Sequence, residues 1–296
     1  GTKEWSVDPF GAKIVDGKLY GRGTTDMKAG IAIAMLAVRA LNSVNDGIVP
    51  RKRLVMLWTT DEERGSRSSR EVLEEEARNS EAVLVLEPSL ENGAVKTGRK
   101  GCGEFELTVR GVAAHAGIEP AQGASAVHEL AAQIVGLEAL QDLQRGVSIN
   151  VGVVEGGSRP NVVAEQARAL VDVRAETAAG ARWLQEAFAA LRPGLPRTEL
   201  TVRGGFSRPP LERTAAVVRL YQMAREIAAR YGRDLGEGST GGGSDGNLTA
   251  AVGAPTLDGL GAVGAGAHAL HEHVEIDHLP WRAAMLAGLI RRLDRT

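Results

Sequence analysis

Four short clusters in this chain gather the residue types that bind a cation or move a proton. They are Gly21-Arg22-Gly23-Thr24-Thr25-Asp26-Met27-Lys28, Thr60-Asp61-Glu62-Glu63, Leu86-Glu87-Pro88, and Gly266-Ala267-His268 with Glu272 beyond it. Each falls at the end of an expected strand or in a glycine-rich loop, and ligands of open α/β sheets gather at the carboxyl ends of strands. Carboxylates with an imidazole form the mixed oxygen and nitrogen donor set that suits zinc. Glu62 and Glu63 are adjacent acids that repel one another, and a metal ion supplies the positive charge a shared site needs. Neighbouring side chains at a strand end point in different directions, so one glutamate can ligate while the other stays free to take a proton.

Taken singly, these signals are weak. An isolated Asp-Glu-Glu is more often a solvated loop, and a lone histidine is more often structural. Glu74-Glu75-Glu76 reads as a solvated helix face and Arg51-Lys52-Arg53 as a basic turn before a strand. Cys102 reads as a small buried or lid-edge residue, because no motif pairs it with an activating histidine.

The elements that must position these clusters alternate. Lys13 to Tyr20 reads as a hairpin around Asp16-Gly17, and Met27 to Leu41 as a buried helix. Arg53 to Thr59 and Ala82 to Leu86 read as buried strands, with a charged amphipathic helix from Ser66 to Arg78 between them. Strands alternating with helices predict an α/β layer with a mostly parallel sheet. Near Gly101 the pattern changes. Strands at Glu104–Val109, Val147–Val154, Ala167–Arg174 and Thr198–Arg203, with helices at Gly123–Leu140 and Ala181–Leu191, give the order βαββαβ of the ferredoxin-like split motif. Helices from Thr214 to Tyr231 and Pro280 to Leu293 then restore the α/β character. The expected organisation is one α/β catalytic domain (residues 1–99 and 204–296) with a second domain (100–203) inserted into it.

A length of 296 residues accommodates two domains. The formal net charge of −2 gives no electrostatic reason to expect nucleic acid or an anionic membrane as partner. No apolar run approaches the ~20 residues of a membrane span. One cysteine excludes an internal disulfide and fits a reducing compartment, so a cytoplasmic location is expected. The chain opens in a loop-like segment without an initiator Met, which leaves room for a signal peptide upstream.

In this order and spacing, the clusters resemble the zinc metallopeptidase family of bacterial glutamate carboxypeptidase, aminoacylase and acetylornithine deacetylase. The resemblance runs over essentially the whole chain. GRGTTDMKAG, TTDEE, LEPS, RGVAAHAG, NVV with VDVR behind it, and GAGAHALHE carry it. It implies a hydrolase with two zinc ions that cleaves an amide or peptide bond beside a carboxylate-bearing residue, most like glutamate carboxypeptidase. An N-acyl-amino-acid deacylase and a non-catalytic dimeric remnant are the alternatives. Asp26 would bridge the ions, Glu63 and His268 would complete one, and Glu87 would serve the other. Glu62 would be the general base, taking a proton from the bridging water and passing it to the leaving nitrogen.

The inserted domain would then be a lid and dimerisation domain of a homodimer. Its His115 would stabilise the oxyanion in the partner's site. Asn161 and Arg208 match positions that hold a substrate carboxylate, and the loop at Gly243 would bring backbone close to a small acylated amino acid or peptide. The Asp26-Met27 peptide bond is expected to be cis. One departure stands out. The family places a His-x-Asp motif on a strand just before the segment matching Gly1-Thr2, whereas this chain has no histidine before His115. The resemblance therefore implies an N-terminal truncation, one firmly held zinc ion, a second ion short of a ligand, and little or no hydrolysis.

Overall fold

A computed structural model describes residues 4–5, 7–44 and 51–295. Two compact units emerge from it, residues 1–98, 213–240 and 244–296 in one and residues 99–212 with 241–243 in the other. Both mix helices with sheets, and parallel and antiparallel pairings are present.

The first unit opens with the expected hairpin, β1 (Lys13–Val15) and β2 (Lys18–Tyr20). Asp16 and Gly17 both take positive φ, 48° and 74°, as a two-residue primed turn requires. The helix α1 (Ala29–Val44) follows, then α2 (Arg70–Arg78), β3 (Val83–Leu84) and β4 (Val95–Arg99). Gly30 allows α1 to approach the end of β3, because a Cβ there would stand 2.1 Å from the Leu86 carbonyl oxygen.

The second unit runs β5 (Gly101–Arg110), α3 (Ala126–Glu138), β6 (Ser148–Gly156), β7 (Gln166–Ala175), α4 (Ala178–Ala190) and β8 (Glu199–Arg208). Its strands form one antiparallel sheet in the order β6-β7-β5-β8. β7 alternates buried and half-exposed residues, which places Ala169, Val171 and Val173 in the core. Leu184 and Phe188 on α4 join them, with Phe188 stacked on Phe105 at 4.0 Å between ring centroids. Ser125 and Thr177 cap α3 and α4 by accepting the His128 and Gly180 amides.

The chain then returns to the first unit with α5 (Ala215–Ala229), β9 (Glu237–Thr240), α6 (Asp245–Ala251), β10 (Thr256–Leu257), β11 (Gly264–Ala265), β12 (His273–Glu275) and α7 (Leu279–Leu293). Val217, Leu220, Tyr221, Ala224, Ile227 and Ala228 give α5 one apolar stripe at helical spacing. That stripe packs with Met285 and Leu289 of α7 and Leu257 of β10. Ile33 and Ala37 of α1 pack with Ala283 and Leu286 on another part of α7. β12 joins the first hairpin to β11, so β1-β2-β12-β11 is an antiparallel sheet.

Three expectations need correction. Residues 53–59 form no strand, and Leu54 to Trp58 are exposed, from 38% for Val55 to 49% for Trp58. An apolar run becomes a buried strand only where a ladder neighbour and a covering layer exist, and this segment has no ladder partner among the described residues. The mostly parallel sheet is correspondingly reduced: β3 pairs with β10 in parallel and β4 pairs with β9, two short two-stranded sheets beside the antiparallel one. The helix α1 is buried on one face only, with Met35 and Leu36 turned outward. No helix among the described residues is long and apolar enough to cross a membrane.

A buried acid fixes one edge of the second unit. Glu129 on α3 is fully buried and accepts from the Gly194 and Leu195 amides, the Gln133 amide group and the Thr198 hydroxyl. Burial alone would push its pKa up, but these donors outweigh burial and hold it below the ordinary value. A depressed carboxyl stabilises the fold above its unfolded pKa, and that contribution disappears as pH falls through the folded value. Glu129→Gln should therefore lose stability near neutral pH, with the gap to the parent protein closing in acid, below the folded pKa. Urea denaturation in both pH ranges checks this.

Candidate metal centre

The three potential ligands come from three distant stretches, each shaped by its own hydrogen bonds. Asp26 lies in the turn that leads into α1. Gly23 enters that turn with φ 72°, and the Asp26-Met27 peptide bond is cis, as the resemblance implies. The turn wraps around Glu272, which is 2% exposed. Glu272 Oε2 accepts the Gly23 amide at 2.7 Å, and Oε1 accepts the Thr25 and Asp26 amides at 3.0 and 3.1 Å. The Thr25 hydroxyl donates to the His273 carbonyl, which ties the same turn to β12. A buried carboxylate thus answers three backbone donors that would otherwise lack partners.

Glu63 sits in a single tight turn, Glu62–Arg64, just after Asp61. The Arg64 and Ser66 amides donate to the Asp61 carbonyl at 3.0 and 2.9 Å, and the Gly65 amide to that of Glu62 at 2.9 Å. The Asp61 carboxylate closes the following residues by accepting the Ser68 amide and hydroxyl at 2.8 and 2.7 Å and the Ser69 amide at 3.3 Å. These serine donors hold its pKa far below the usual carboxylate range. His268 occupies the left-handed region with φ 63°, close behind Gly266 at φ 74°.

His268 Nε2 lies 2.9 Å from Glu63 Oε1 and 3.2 Å from Asp26 Oδ2. The three donor atoms all lie within 4.8 Å of one another. Donors around a tetrahedral zinc ion at ordinary bond lengths stand about 3.4 Å apart, so two oxygens and one nitrogen at these separations fit that ion. The electrostatics point the same way. Burial and the nearby Glu63 carboxylate raise the Asp26 pKa, and Glu63 first, then Asp26, raises that of His268. A cluster that strains to hold its negative charge is one a divalent cation relieves.

The other expected residues are placed as follows. Glu62 is half-buried next to Glu63. Glu87 follows β3, its carbonyl accepting the Gly261 amide at 2.9 Å, and its carboxylate is not one of the three gathered donors. In the second unit, His115 and Asn161 are neighbours: the Ala116 amide donates to the Asn161 carbonyl at 2.9 Å, and His115 bridges to Val162. Arg208 ends β8, opposite Cys102. The Gly242 and Gly243 carbonyls accept from Arg99, at 3.0 and 3.3 Å. Cys102 is half-buried, with the Arg174 guanidinium at its sulfur. Sequence reasoning noted Glu272 without giving it a role. Its spacing four residues beyond His268 was the available signal.

A family model described as "Peptidase family M20/M25/M40" matches residues 1–292. Carboxypeptidase G2 of Pseudomonas sp. is 30% identical over 292 residues, covering 96% of this chain and 69% of that protein. The succinyl-diaminopimelate desuccinylase of Alkalilimnicola ehrlichii is 31% identical over 307 residues, covering 98% and 79%. Among solved structures, aminopeptidase PepT from Bacillus cereus superposes with a TM-score of 0.78 at 25% identity over 95% of this chain and 75% of that one. An M20 family metallo-carboxypeptidase from Sulfolobus solfataricus gives 0.69 at 17% identity over 100% and 82%.

Glu272→Ala should strand three donors around Asp26 and weaken zinc binding by about 10–100-fold, the usual cost of losing a residue that orients a ligand. Glu272→Gln, which keeps one acceptor oxygen, should fall between. Competition titration against a chromophoric chelator measures both, and an unchanged affinity in the alanine variant would contradict the arrangement.

Proposed function

The chain belongs to peptidase family M20/M25/M40 and is a metal-dependent hydrolase, and from that premise we propose that it cleaves the amide or peptide bond next to a carboxylate-bearing residue, in the manner of a glutamate carboxypeptidase. The convergence of Asp26, Glu63 and His268 carries this reading. These three would hold one zinc ion, and Asp26 with Glu87 would hold a second that is short of the family's histidine ligand. When bound, the metal supplies the charge that polarises the scissile carbonyl and makes water acidic enough to react near neutral pH.

The chain's own groups do the remaining work. Glu62 takes a proton from the attacking water and passes it to the leaving nitrogen. Its half-buried position beside a ligand supports that role. His115 stabilises the oxyanion in the partner's site of the homodimer. Asn161 and Arg208 hold the substrate carboxylate, for which a guanidinium fork is suited, while Gly243 offers backbone.

Residues 1–99 and 204–296 form the catalytic domain in this proposal, and 100–203 a ferredoxin-like lid and dimerisation domain. The βαββαβ order and the single antiparallel sheet support the latter. β6 is an edge strand with Val153 and Val154 exposed, and such an edge invites pairing with a second copy in a two-fold homodimer. The desuccinylase likeness favours a second reading with the same catalytic groups, an N-acyl-amino-acid deacylase.

Zinc-loaded protein should release the free amino acid, slowly because the second ion is short of its histidine, from N-acyl-glutamates or from N-succinyl amino acids, and the preferred series separates the two readings. Glu62→Gln should lower turnover by about 10²–10⁴-fold while zinc stays bound. Retained turnover in that variant would remove the base assignment. Zinc binding and dimerisation without turnover on either series would point to a non-catalytic binding protein. His115→Ala should lower kcat more than it raises KM.

A further inference from the structure

Asp245 is the second residue of a Ser244-Asp245 pair that opens α6, and the helix does not rely on it for capping. Ser244 caps the helix instead. Its hydroxyl oxygen accepts the Gly246 amide at 3.0 Å, and Asn247 Oδ1 accepts the Ser244 amide at 2.9 Å, a complete capping box. The Ser244 hydroxyl also donates to Asp258 Oδ2 at 2.6 Å, which anchors the helix start to a fully buried residue beside β10. The Asp245 carboxylate is turned elsewhere. Thr59 Oγ1 donates to its Oδ2 at 3.1 Å, and the Ser66 hydroxyl donates to its Oδ1.

Thr59 and Ser66 bracket the six residues 60–65 that carry Asp61, Glu62 and Glu63. An extended chain of six residues reaches roughly 20 Å, whereas here both flanks end on one carboxylate. Ser66 is fully buried and takes φ 56° directly after Gly65 at φ 83°. A left-handed serine needs its surroundings to hold it there, and the bond to Asp245 does so. We propose that Asp245 is a positioning residue that clamps both ends of the acidic loop and so fixes where the Glu62 and Glu63 carboxylates stand. The proposal rests on the reading of Glu62 and Glu63 as base and metal ligand.

The test combines three measurements on the full chain. In metal-free Asp245→Ala, hydrogen exchange at the Gly65 and Ser66 amides should accelerate by about tenfold or more, while the amides of α6 keep their protection through Ser244 and Asn247. Zinc affinity should fall by about 10–100-fold, and kcat by a larger factor than any change in KM. Asp245→Asn retains one acceptor oxygen and should recover part of each loss. Ser66→Ala removes one arm of the clamp and should show the same changes at smaller size, again with α6 protected. Unchanged loop exchange and zinc affinity in Asp245→Ala and Ser66→Ala would overturn the proposal. So would equal loss of protection in α6, which would mark Asp245 as structural. Turnover surviving in Glu62→Gln would sink the base assignment instead, and leaves the exchange and zinc measurements to judge the clamp by themselves.

Discussion

The Asp26 and Glu63 carboxylates stand with the His268 imidazole within 4.8 Å of one another, and negative charges that close repel unless a cation joins them. The local architecture of the first unit answers that constraint. Each of the three donors stands on a short irregular segment that could relax away from the others, since none lies inside a regular strand or long helix. What prevents relaxation is a set of acceptors placed beneath them. Glu272 collects the amides of the Asp26 turn, Asp61 closes the residues after Glu63, and Asp245 receives the hydroxyls on either side of that loop.

The second unit uses the same device. Glu129 gathers two backbone amides and two side-chain donors at the entry to β8. In each case a carboxylate accepts from several donors along a loop, so the loop has fewer conformations with its donors satisfied. Hydrophobic packing could not do this alone. The cores fix helices and sheets, through Phe188 on Phe105 in one unit and α1, α5 and α7 in the other. They reach no further than the points where the loops depart.

Most elements were legible because periodicity and turn chemistry agree with burial. α5 shows its stripe in sequence, the hairpin shows Asp16-Gly17, and β5 and β7 alternate as their faces demand. The donors were legible only as a constellation, because acidic loops and glycine-rich turns are common and their meeting depends on tertiary contact. Residues 53–59 misled for the opposite reason. Their apolar composition is real, but burial is a property of neighbours, and Leu54 to Trp58 remain exposed. Glu272 and Asp245 escaped a functional reading because an acid that faces backbone amides or hydroxyls looks, in sequence, like one that faces water.

The division of exposure explains why Glu272 and the Ser66 bond to Asp245 matter. The side chain of Glu63 is 64% exposed and that of His268 67%, and they must be accessible if a ligand is to reach them. Exposed groups gain little from burial and pair weakly in water, so their own contacts cannot hold them to the tolerance that ligation or proton transfer requires. Precision has to be imported from residues out of solvent: Glu272, Ser66 and Asp258 are at most 2% exposed. A site of this kind is therefore specified twice, once by the groups that meet the ligand and once by the buried acceptors and hydroxyls that leave those groups a single place to stand.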